Sequence, residues 1–144
     1  MKKFYIFLVG CVLSMTACAD DHHLIKYSEL PVRAQTFVQK YFNLEDISHI
    51  ERDREGMHYE YNVYLRNTTE IEFDYQGNLQ SIDCKYITVP KGIVPEVIMS
   101  FVSLHYPNLY VVEYVIDYRH QTVELNNEME LIFDREGRFL RMDD

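Results

Sequence analysis

The sequence predicts an α+β fold: a tandem duplication of a helix followed by a four-stranded antiparallel meander, with both helices on one face of the sheet. Three observations predict it. Residues 30–42 align with residues 94–106 at an offset of 64, which sets Leu30-Pro31 on Val94-Pro95 and Phe37-Val38 on Phe101-Val102. The same offset carries Ile47 onto Val111 and Asp53 onto Asp117. Farther on it becomes 60, and Phe73-Asp74-Tyr75-Gln76-Gly77 falls on Phe133-Asp134-Arg135-Glu136-Gly137. A pattern repeated once at this spacing marks one unit used twice. Finally, the strand-like runs are separated by short turn compositions, and short connections demand antiparallel neighbours.

Taken in chain order, residues 1–19 read as a secretory leader. Lys2 and Lys3 precede an uncharged run from Phe4 to Leu13, and small residues follow, which is the three-part plan of a signal peptide. The run is too short to span a bilayer, which needs about 20 apolar residues in a helix. Two cleavage readings compete. Ala17-Cys18-Ala19 is a small-x-small site that frees Asp20, giving a periplasmic or secreted protein. Met15-Thr16-Ala17-Cys18 resembles a degenerate lipoprotein box that leaves Cys18 lipidated. Met15 is a poor match to the usual Leu or Val there, which favours cleavage after Ala19.

Residues 20–27 then form a flexible tail. The first repeat spans 28–86, a linker 87–93 and the second repeat 94–144. Ala34, Phe37, Val38, Tyr41 and Phe42 fall on one helical stripe, with Ser28 as a cap and Pro31 tolerated in the first turn. Ile98, Phe101, Val102 and Tyr106 repeat the stripe. Strands are expected over residues 47–53, 57–65, 70–74 and 79–84, and over 111–117, 121–125, 130–134 and 139–142, with Gly and Asn in the intervals. Four residues are missing from the second copy between Asp117 and Gln121, where a turn is expected.

Charge and cysteine content narrow the function classes. The chain of 144 residues has 14 Lys and Arg against 23 Asp and Glu. Loss of the leader leaves 12 bases against the same 23 acids. Such a surface repels nucleic acid and anionic lipid and favours a basic protein, a basic peptide or a cation. Cys11 and Cys18 belong to the leader, so Cys84 alone remains and no internal disulfide forms. At about 125 residues one core suffices without such a staple.

With the leader, the Leu-Pro helix start, the helix ending in aromatics and two Phe-Asp-x-x-Gly hairpins, the chain resembles the PepSY-like or β-lactamase-inhibitor-like exported proteins of Bacteroides-type bacteria. The resemblance covers residues 28–142. It implies tandem helix-plus-sheet units, export to the periplasm or cell surface, and binding or inhibition of another protein; it carries no catalytic residues. The chain departs from the β-lactamase inhibitor protein in having no tryptophan and no disulfide pair.

Alternation assigns the two faces of the sheet. Tyr59, Tyr61, Val63, Leu65, Ile71 and Phe73, with Val123, Leu125, Leu131 and Phe133, should face the helices. The other parity exposes His58, Glu60, Asn62, Tyr64, Glu70, Glu72 and Asp74, then His120, Thr122, Glu124, Asn126, Glu128, Glu130 and Ile132. Half of these are acids and none is Lys or Arg, whereas a merely solvated face usually mixes signs. The candidate partner-binding set is Glu60, Tyr64, Glu70, Glu72, Glu124, Glu128, Glu130 and Ile132, with Tyr64 and Ile132 as apolar anchors.

Other chemistry is weakly signalled. Cleavage after Ala19 would set a free amine on Asp20-Asp21-His22, and an imidazole at position three can complete a square plane of four nitrogens around Cu(II) or Ni(II). Lipidation at Cys18 removes that possibility. His49, His58, His105 and His120 lack ligand spacing. No loop alternates Asp and Asn around a Gly turn, so strand carboxylates would hold Ca²⁺ only loosely. There is no Gly-x-Ser-x-Gly, His-Glu-x-x-His or Cys-x-x-Cys, and the repeated Asp-x-x-Gly is explained by a turn. The sequence thus points to an exported, non-enzymatic protein with no catalytic residues and no required cofactor. The expected role is to capture or inhibit a basic protein or peptide on an open acidic face. A cell-envelope metal or small-ligand binder, and a structural envelope subunit using a sheet edge, are the alternatives.

Overall fold

The computed structural model describes residues 22–143; the expected leader over 1–19, and Cys18, Asp20 and Asp21 with it, lie outside the described residues. Within the described chain the apolar positions of every strand meet in one sheet. In order, the elements are β1 (His23–Leu24), α1 (Val32–Tyr41), β2 (Ile47–Glu55), β3 (His58–Leu65), β4 (Glu70–Phe73), β5 (Leu79–Asp83), α2 (Glu96–His105), β6 (Val111–Ile116), β7 (His120–Leu125), β8 (Glu130–Asp134) and β9 (Phe139–Asp143). The fold is α+β. The nine strands pair antiparallel in chain order from β1 to β9.

This differs in two ways from the expected pair of four-stranded meanders. The sheet is continuous, because β5 pairs with β6 through Ser81↔Val115, Ile82↔Tyr114 and Asp83↔Glu113. Joining there leaves no unpaired edge in the middle of the molecule, where exposed N–H and C=O groups would invite association. The segment expected as a flexible tail also supplies a strand: β1 pairs His23↔Arg52 and Leu24↔Glu51, and the Ile25 N–H donates to Ile50 O at 3.0 Å.

One face of the sheet holds the core. Register aligns Ile50, Val63, Ile71, Ile82, Tyr114, Val123 and Leu131 in a single row across seven strands, and all of them are buried. Both helices cover this face. Ala34 and Val38 of α1, and Ile98 and Val102 of α2, are buried. Phe37 meets Phe73 edge-on at 5.5 Å between ring centroids, and Phe101 meets Phe133 at 5.4 Å. These edge-to-face contacts are the arrangement that aromatic quadrupoles favour. Tyr59, expected on this side, is exposed beyond the helices, with the Arg52 guanidinium over its ring at 4.7 Å.

Helix entry also differs from expectation. Ser28 does not cap α1; it lies in a 3-10 turn over Tyr27–Glu29, and Pro31 occupies the cap position without a side-chain bond. The Gln35 side chain instead donates to Leu30 O at 2.8 Å, while Tyr27 OH donates to Gln35 O at 2.7 Å. Pro31 suits the position because its missing N–H would find no intrahelical partner there.

The two Asp-x-x-Gly turns are built alike. Asp74 Oδ1 accepts from the backbone N–H of Gln76 and Asn78, and Asp134 Oδ1 accepts from those of Glu136 and Arg138. Gly77 and Gly137 adopt φ of +82° and +81°. Each turn presses its glycine against a helix start, so that a Cβ on Gly77 would lie 2.9 Å from Ala34 N and one on Gly137 2.3 Å from Val97 Cγ1. The turn expected between Asp117 and Gln121 is closed by Asp117 Oδ1, which accepts from the N–H groups of Arg119 and His120.

Candidate functional site

The face away from the helices is open, and cross-strand register decides what it displays. One row runs His49↔Tyr64↔Glu70↔Asp83↔Glu113↔Glu124↔Glu130↔Asp143. Its last six members, one from each strand from β4 to β9, are all carboxylates. Neighbouring strands lie about 4.8 Å apart, and like charges directly opposite destabilise a sheet by roughly 0.2–1 kcal/mol per pair. The fold therefore holds a ladder of mutually repelling groups. Positive charge reaches it from Lys85, whose ammonium pairs with Asp83 and lies 4.0 Å from Glu70, and from Arg141, 3.4 Å from Asp143.

Protonation equilibria register the repulsion. Burial, then Asp83 and Glu124, push the Glu113 carboxyl up to about 7. Glu124 is raised by burial and by Glu130 and Asp83. A second acidic group sits toward the far end of β3. There Glu60, hydrogen-bonded to Glu55, partly buried and close to Glu72, is pushed up to about 8. Tyr64 stacks flat on His49 with centroids 4.4 Å apart, and its hydroxyl is held protonated by burial and by Glu70. Such a surface favours whatever brings positive charge to it.

The expected partner-binding residues are only partly gathered here. Glu70, Glu124 and Glu130 stand in the ladder, with Tyr64 adjoining it. Glu72 lies one row over, facing Asn62 and Ser81, and accepts from Ser81 Oγ at 3.1 Å. Glu60 faces Asp53. Glu128 is not on a strand: it occupies the turn between β7 and β8 with φ +69°. Ile132, expected as an exposed anchor, is buried with 6% of its surface accessible. Its row places Thr122 on one side and Arg141 on the other, and it offers little apolar surface on this face.

Sequence reasoning left out Asp83 and Glu113 from the ladder and Glu51, Asp53 and Glu55 from β2. Alternation assigns faces only along β3, β4, β7 and β8, and in β2, β5 and β6 the pairing is irregular, at Ile47/His49, Glu72/Phe73 and Val111/Glu113. An extra residue reverses the in-out alternation, so counting by twos from Ile47, Leu79 or Val111 puts the acids on the wrong face. Counting from Ile50, Ile82 and Tyr114 places them on the open one. Cys84 is buried, and burial pushes its thiol up. A thiol kept protonated is a poor nucleophile.

Among the described residues, one imidazole does join two carboxylates. His22, Glu51 and Asp53 each offer a ligand atom within 4.8 Å of the others. His22 Nδ1 contacts Asp53 Oδ1, so the histidine expected in an N-terminal chelate is drawn onto β2. No helix among the described residues is long and apolar enough to cross a membrane.

With this geometry in view, comparison with known proteins defines the class. The profile of the family described as "Putative beta-lactamase-inhibitor-like, PepSY-like" matches residues 16–61 and 59–141. The chain belongs to that family. A solved structure described as a "putative periplasmic protein" of the DUF2874 family from Bacteroides vulgatus is 29% identical, with 88% of this chain and 99% of that one covered and a TM-score of 0.83. Another, described as a "putative calcium-regulated periplasmic protein" from Bacteroides thetaiotaomicron, is 28% identical over 86% and 98% of the two chains, with a TM-score of 0.81. A third, a periplasmic protein of unknown function from Bacteroides vulgatus, is 26% identical over 85% and 99%, with a TM-score of 0.80. No curated protein matches the chain.

Proposed function

We propose that this chain is an exported, non-enzymatic binding protein of the periplasm that captures a basic protein or peptide on the open face of its sheet. The observation that carries this reading is the six-carboxylate ladder from Glu70 to Asp143. Repulsion within it is a standing cost that a cationic ligand removes, and the acids also steer a basic partner to the surface. Periplasmic relatives and the inhibitor-like family support the setting. Tyr64, half-buried beside the ladder, supplies an apolar contact at its end. The test is capture from envelope extracts by the wild-type protein and by the triple variant Glu70→Lys, Glu72→Lys and Glu130→Lys. A stoichiometric basic partner retained by the wild type and lost by the variant supports the reading, whereas undiminished capture by the variant overturns it.

A second reading is favoured by the pairing of Glu113 with Glu124 and by the description of one relative as calcium-regulated. In it the same carboxylates take a hard divalent cation, whose preferred ligands are oxygens. A calorimetric titration with CaCl₂ separates the two: saturable Ca²⁺ binding abolished by Glu113→Gln supports the cation, and its absence leaves the basic partner.

A further inference from the structure

We propose that His22, Glu51 and Asp53 form a binding site for a divalent transition metal, with Zn²⁺ as its ion, at the edge where β1 meets β2. The site is assembled from two segments. Glu51 and Asp53 are two residues apart on β2 and so point to the same face. The pairing Leu24↔Glu51 fixes the register of β1, and this carries His22, 31 positions away in sequence, onto Asp53. Ligand atoms of all three then lie within 4.8 Å of one another, a separation that small rotamer changes close to a shared coordination sphere.

The surroundings are those of a metal site more than of a plain ion pair. Asn62 Nδ2 donates to Asp53 Oδ2 at 2.9 Å. That bond leaves Oδ1 turned toward His22, as second-shell donors orient the carboxylates of metal sites. On the other flank, His49 Nε2 lies 3.5 Å from Glu51 Oε1, and its ring is held in place by the Tyr64 stack. An imidazole beside two carboxylates suits Zn²⁺ and leaves a fourth position for water, while Ca²⁺ and Mg²⁺ prefer oxygens throughout. Coordination would tie β1 to the sheet. Two register pairs and the Ile25 N–H to Ile50 O bond already dock that strand, and the ion would strengthen its hold on β2.

The experiment is a calorimetric titration of the processed protein, stripped with a chelator, with ZnCl₂. One equivalent is expected to bind. His22→Ala and Asp53→Asn should each weaken binding by at least about tenfold, and Glu96→Gln, at the exposed start of α2, should leave it unchanged. Glu51→Gln serves as a second carboxylate variant if Asp53→Asn perturbs β2, and circular dichroism checks each fold. Failure to bind Zn²⁺, or equal weakening by Glu96→Gln, overturns the site. Binding that needs His22 and a free amine at Asp20 but survives both carboxylate variants assigns His22 to an N-terminal chelate and overturns it as well.

Discussion

Glu113 couples the acid ladder to folding. Its carboxyl titrates near 7 in the folded chain, against about 4.3 when exposed. A raised carboxyl contributes stability that is fully present below the unfolded value and is lost as pH climbs through the folded one, because the folded state then holds a proton that the unfolded state has released. Stability should therefore fall between about pH 4.5 and pH 7.5 on account of this group. Removing the charge reverses the loss. Glu113→Gln is expected to raise unfolding free energy by about 1 kcal/mol at pH 8 and to change it little at pH 4.5, after discounting for solvent screening. Urea melts at the two pH values measure the difference. Equal effects at both would contradict the assignment. A quite different residue shows where sequence reading stopped. Gln121 is buried, accepts from Tyr114 OH at 2.5 Å and donates to Asp134 O and Arg135 O. Both side chains lie on the helix face, but no pattern in the sequence reveals that they meet. Tyr114→Phe leaves the Gln121 oxygen without that donor and should cost roughly 1–2 kcal/mol, read as a shift in denaturation midpoint without a change in slope.

At the scale of elements, the glycines at the two hairpin turns connect local chemistry to packing. Gly56, in the turn between β2 and β3, has φ +60° and open space where a Cβ would stand, whereas Gly77 has both a positive φ and the start of α1 against it. Gly56→Ala should therefore cost only the backbone term, about 1 kcal/mol. Gly77→Ala adds a clash with Pro31 Cβ at 2.8 Å and Ala34 N at 2.9 Å, raising the cost to about 2–4 kcal/mol. Parallel thermal melts of the two variants test the contrast, and similar losses would show that the turn does not brace the helix. The helical stripes and the turn residues were legible because each depends on neighbours close in sequence. Strand faces were legible only where pairing is regular, as along β3 and β7. In β2 and β6 the irregularity beside Ile47 and Val111 depends on how the partner strand accommodates an extra residue, which the chain's own alternation does not record.

Over the whole molecule the apolar row and the acid ladder lie on opposite faces of one sheet, and this separation makes a binding face possible without disturbing the core. If capture is electrostatic, affinity for a basic partner should weaken several-fold between 0.05 and 0.3 M salt, as the screening length falls below about 10 Å. The change should appear mainly in the association rate. Surface binding kinetics at the two ionic strengths measure it, and salt-independent association would point to the apolar surface instead. From sequence alone came the α+β class, the helix stripes, the turns and the excess of acid, because composition and short-range periodicity determine them. Tertiary structure decided that the halves join through β5 and β6 and that Ile132 is covered. It also decided that acids from six different strands fall into one row and that His22 reaches Asp53. Each of these depends on register between segments far apart in the chain, and register is set by the packing of the opposite face.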